Sequence, residues 1–65
     1  MTKHKHTVAG KTYTIAISTV PGFCCWATVK LGRARIGETQ NIPYGMRGVA
    51  YERAVEIAER HASAA

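Results

Sequence analysis

Three sets of residues in this 65-residue chain are of types that could do chemistry: the histidines His4, His6 and His61, the adjacent cysteines Cys24 and Cys25, and Trp26 with the cations Lys30, Arg33 and Arg35 that follow it. Structural zinc takes about four well-placed ligands, so the His4-x-His6 pair would need His61 and Cys24 to join from distant elements. Cys24-Cys25 lacks the C-x-x-C spacing and has no evident activating partner. Neighbours in an extended strand point to opposite faces, so a bridge between them is not expected either. Gly32 and Gly37 lack the strand–glycine–helix context of a phosphate-binding loop, and no Ser/His/Asp set or pair of carboxylates can be brought together. No enzymatic activity, metal or cofactor is expected. The third set differs, because cations neutralise phosphates, arginine can read guanine edges, and tryptophan can stack on a base. Against this stands the reading in which Trp26 packs into the core or under the N-terminal residues.

The charge is placed unevenly. Residues 1–35 hold six basic side chains (Lys3, Lys5, Lys11, Lys30, Arg33, Arg35) and no acidic one. From Ile36 onward four glutamates (Glu38, Glu52, Glu56, Glu59) face three arginines (Arg47, Arg53, Arg60), leaving a formal net charge of +5. A basic half beside a balanced half produces a directional field suited to a polyanion, although net charge also serves solubility. No apolar run approaches the roughly 20 residues of a membrane span. The polar opening has no apolar segment behind it, so no secretory signal is expected. Unbridged cysteines suit a reducing compartment, and a cytoplasmic location follows as the expectation.

These residues must be positioned by a small scaffold. Residues 11–18 alternate, with Tyr13, Ile15 and Ile17 on one side and Thr12, Thr14, Ala16 and Ser18 on the other, which predicts a strand with one buried face. Before it, residues 1–10 read as a basic arm or a short edge strand over 4–8 closed by Ala9-Gly10. Pro21-Gly22 supplies a turn. Residues 23–31 form the next strand, with Phe23, Cys25, Ala27, Val29 and Leu31 inward and Cys24, Trp26, Thr28 and Lys30 outward. Gly32-Arg33 turns into a third strand over 34–40, with Ile36 inward and Arg35, Gly37 and Thr39 outward. A loop over 41–48 is punctuated by Pro43, Gly45 and Gly48. Residues 49–63 are the clearest helix: Ala50, Tyr51, Ala54, Val55, Ile57, Ala58, His61 and Ala62 fill one side, and charged residues fill the other. Glu56 and Arg60 are spaced as an i,i+4 pair. Small alanines would let this helix lie close against a sheet.

The expected fold is therefore α+β: one domain over 1–65, with a three- or four-stranded antiparallel sheet over 11–40 and a C-terminal amphipathic helix on one face. The other face would stay open, as antiparallel sheets allow.

The run WATVK…RARIGET…AYERA, from Trp26 to Ala54, resembles the ethylene-response-factor type of plant DNA-binding domain and its phage relatives. That family reads W-x-A-x-I-R, R-x-x-L-G-x-F and a helix with A-Y-D, and the resemblance implies a three-stranded sheet docked in a major groove. This chain offers threonines where the family's first strand offers arginines, and the stretch 42–48 is extra. Gly37-Glu38-Thr39 and the following helix are also similar to antitoxin domains of the HicB type. The strands with an alanine-rich helix resemble a double-stranded-RNA-binding domain without its first helix and without the basic motif of its last.

The expected function is nucleic-acid binding by the open sheet face, DNA ahead of RNA, through Trp26, Thr28, Lys30, Arg33 and Arg35 with Lys3, Lys5 and Lys11. The alternative is a protein-interaction module on the same face: an antitoxin-like subunit, a small phage or mobile-element inhibitor of a larger complex, or one half of a homodimer.

Overall fold

Alternating apolar and hydroxylated side chains build the centre of the molecule. A computed structural model describes residues 2–64. Four strands, β1 (Thr2–Val8), β2 (Lys11–Val20), β3 (Cys24–Leu31) and β4 (Ala34–Glu38), form an antiparallel meander in the order β1-β2-β3-β4. A two-residue strand β5 (Ile42–Pro43) pairs with Cys24 and Cys25 at the start of β3. A 3₁₀ turn (Tyr44–Met46) leads into the helix α1 (Arg47–Ala64), which packs across the sheet. The fold is α+β, as the sequence pattern predicts.

The turns explain the register. Ala9 and Gly10 both have positive φ, 53° and 77°, so the two-residue β1–β2 connection has the mirror-image geometry that matches strand twist. Alanine in that region carries a cost that glycine avoids. At the next reversal Pro21 sits in the second turn position and Gly22, with φ 79°, in the third, closed by the Phe23 N–H donating to the Val20 carbonyl at 2.9 Å. This turn claims Phe23, so β3 begins at Cys24 and Phe23 is 78% exposed instead of inward as strand parity implied.

The core is thin. Tyr13, Ile15 and Ile17 of β2 and Cys25, Ala27 and Val29 of β3 lie under Ala50, Ala54 and Ala58 of the helix, all buried. The i,i+4 spacing of the alanines makes a smooth stripe, and each has no accessible surface left. Each fully buried isoleucine or valine contributes about 1.5–3 kcal/mol. Tyr51 reaches toward β1, where it meets the edge of His4 with ring centroids 5.1 Å apart. Ile57 reaches toward β4. The buried Tyr13 hydroxyl is satisfied by His61 Nδ1 at 2.8 Å.

Four further expectations are corrected. Residues 2–8 form a full strand paired with β2 along its whole length, from Thr2↔Ile17 to Val8↔Lys11, so neither a loose arm nor a strand confined to 4–8 describes them. In β4, Lys30 pairs with Arg35 and Val29 with Gly37, which leaves Ile36 as a bulge. The extra residue reverses parity: Gly37, expected outward, lies beneath the helix, where a Cβ would come 3.1 Å from Ile57 Cγ2, and Glu38 takes the open side. The expected loop contains β5 and the 3₁₀ turn, and the helix starts at Arg47. Glu56 and Arg60, although spaced to pair, form no ion pair among the described residues.

Candidate nucleic-acid interface

The face of the sheet away from the helix is built row by row from the strand register. Lys5, Thr14, Lys30 and Arg35 stand side by side across β1, β2, β3 and β4. The adjoining row is Lys3, Ala16, Thr28 and Glu38, followed by Ser18 with Trp26 and then Val20 with Cys24. No element of the described chain packs over these rows. A shallow depression runs between Lys3, Lys30, Arg35 and Glu38, with Thr14, Ala16 and Thr28 in its floor.

The electrostatics of the first row are unfavourable for folding. Like charges directly opposite in an antiparallel pair lie about 5 Å apart at Cβ and destabilise the sheet. Lys30 and Arg35 are such a pair, and Lys5 continues the same sign one strand further out. Arg35 has one counter-charge, an ion pair with Glu38 on its own strand. Their side chains are 61% and 36% exposed, so water screens the pair and Arg35 can exchange it for another anion at little cost. Four cations against one carboxylate leave the face positive.

Of the residues expected to act together, the structure brings Trp26, Thr28, Lys30, Arg35, Lys5 and Lys3 onto one face. Arg33 is exposed in the β3–β4 turn beside them. Lys11 stands apart: it pairs with Val8 and shares the parity of Tyr13, which directs it to the helix side. Trp26 is half-buried, flanked on β2 by Ser18. Beside it the outer edge of β3 is held by Thr39 in place of a strand pair. The Ala27 N–H donates to Thr39 Oγ1 at 2.9 Å, and the Thr39 N–H donates to the Ala27 carbonyl at 2.8 Å. These two bonds tie down the backbone next to Trp26, between the segments that β4 and β5 pair.

The histidines lie on the opposite side of the sheet, beside the helix, with His4 exposed and His6 and His61 half-buried. His4 touches Tyr51, His6 Nε2 stands 3.9 Å from Glu59 Oε1, and His61 bonds to Tyr13. Among the described residues no three His, Cys, Asp or Glu side chains gather as a metal site. Cys25 is buried, with Sγ 3.6 Å from the Pro43 carbonyl, and Cys24 lies on the open face. The alternation Lys3-His4-Lys5-His6 was the signal for this division: cations to one face, histidines to the other. Glu38 was hidden from sequence reasoning by the bulge, and the exposure of Phe23 by the turn.

Among the described residues no helix is long and apolar enough to cross a membrane. No protein family, curated protein or solved structure matches the chain.

Proposed function

We propose that the chain is a small non-enzymatic protein that binds nucleic acid across the open face of its sheet, DNA ahead of RNA. The observation that carries this reading is the cationic row Lys5–Lys30–Arg35, with Lys3 beside it, on a sheet face that none of the described residues covers. Its mutual repulsion weakens the fold, and a line of phosphates would relieve it. The hydroxyls of Thr14 and Thr28 between the cations supply further donors to phosphate oxygens. A protein partner would need complementary carboxylates and a desolvated centre; the row offers little apolar area for one.

The test is a fluorescence-anisotropy titration against salt with wild type and the triple variant Lys30→Ala, Arg33→Ala, Arg35→Ala. All three side chains are exposed, so the variant is expected to fold with an unchanged circular-dichroism spectrum. Wild-type affinity should fall steeply with salt, and each lost duplex phosphate contact should lower the slope of log affinity against log salt by about 0.9. Equal binding and equal slope in the triple variant would remove nucleic acid from this face and leave the protein-partner reading.

A further inference from the structure

The open face has a polarity along the strands. It is cationic at Lys5, Lys30 and Arg35, mixed at Lys3, Thr28 and Glu38, aromatic at Trp26, and apolar at Val20 and Cys24. Beyond the last row stands Phe23. The exposed large apolar side chains of the described residues, Phe23 at 78%, Val20 at 40% and Met46 at 48%, all belong to this end of the molecule. Val20 and Phe23 bracket the β2–β3 turn, and the 3₁₀ turn with Met46 follows β5, which pairs at the start of β3. Phe23 is not on a loose loop. Its own N–H closes the turn, with Pro21 and Gly22 in the positions that suit them, so its backbone is held while its ring stands in solvent.

Width decides what kind of polymer suits such a face. Four strands spaced about 4.8 Å apart span about 14 Å between the outer backbones alone. A major groove is about 12 Å wide and admits a helix or a two-stranded ribbon, so the whole face cannot enter it. A paired duplex also hides the flat sides of its bases, and aromatic side chains then have nothing to stack on. Unpaired bases are free to do so. Successive rows are about 7 Å apart, so the Trp26 row adjoins the row of Lys3 and lies about 14 Å from Lys30, and a backbone held at these cations would carry its bases toward Trp26.

We infer that the face takes single-stranded nucleic acid, with phosphates along Lys3, Lys5, Lys30 and Arg35 and bases stacked on Trp26 and Phe23. The inference rests on the function proposed above and names the form of polymer recognised. Stacking tolerates any base, so binding is expected to show little sequence preference.

The test compares fluorescent deoxyuridine and uridine 12-mers with a duplex of equal length over one series of salt concentrations, using wild type and Phe23→Ala. A single strand should bind at least about tenfold more tightly than the duplex and quench Trp26 emission. Phe23→Ala should lose about tenfold in single-strand affinity with an unchanged salt slope and an unchanged melting temperature. Whichever single strand binds more tightly identifies the sugar, and either result supports the inference. Duplex binding as tight as single-strand binding, or single-strand binding unaffected by Phe23→Ala, overturns the inference while leaving nucleic-acid binding in place. Failure to bind all three polymers overturns both.

Discussion

On β2, Tyr13, Ile15 and Ile17 point at the helix and are buried, while Thr14, Ala16 and Ser18 point the other way and are half-covered only by their neighbours in the sheet. The two faces share backbones, turns and register, yet they answer to different constraints. On the helix side nearly every side chain can be explained by packing: alanines where the helix crosses closely, glycine under Ile57, a tyrosine whose hydroxyl finds His61. On the open side packing explains little, and the placement of Lys30 against Arg35 works against stability. Residues kept at a cost to the fold point to a role outside it.

The sharpest way to break this contrast is to place one charge on each face. Ala58→Glu puts a carboxylate into a contact with no accessible surface, and the expected loss is about 4 kcal/mol or more, seen as an unfolded circular-dichroism spectrum at 25 °C. Thr14→Glu sets the same group between Lys5 and Lys30, where the melting midpoint should move by no more than a few degrees and affinity for the 12-mer should fall. Similar melting curves for the two variants would mean that the faces do not differ as described.

A smaller effect is expected at the bulge. Gly37→Val forces two methyl groups toward Ile57 and should cost about 1–3 kcal/mol in urea unfolding. Ile57→Ala in the same background should cost less than it does alone, because it vacates the space. Purely additive losses would place Gly37 on the open side. Smaller still is Tyr13→Phe, which removes one hydroxyl from the helix face. Its expected cost is about 0.5–1.5 kcal/mol, measured by the same denaturation, and a null result would show that the bond to His61 does not help hold the helix.

The same contrast governs how much could be read from the sequence. Where alternation and helical spacing run undisturbed, in β2, in most of β3 and through Ala50, Ala54 and Ala58, the buried face was legible residue by residue, and with it the outward placement of Trp26, Thr28 and Lys30. In β1 the alternation of lysine and histidine was visible, but both are polar, so pairing to β2 is needed to show which set faces the helix. Gly37 and Glu38 were misplaced or missed because a bulge inserts a residue without leaving a composition mark. Phe23 was assigned inward by parity, but the Pro21-Gly22 turn captured it before the strand began. Lys11 has the parity of Tyr13, and that alone could have separated it from the other cations.

The meander has a consequence for how the chain reaches this state. Each pairing along β1-β2-β3-β4 joins strands adjacent in sequence through connections of two or three residues, and longer loops are closed by β5 on β3 and by the helix, which touches all four strands. Short loops close at low entropic cost, and hairpins form within about 1–10 μs. Local contacts of this kind favour fast folding. The sheet can therefore be assembled through short loops alone, whereas the alanine stripe reaches it only by closing longer ones.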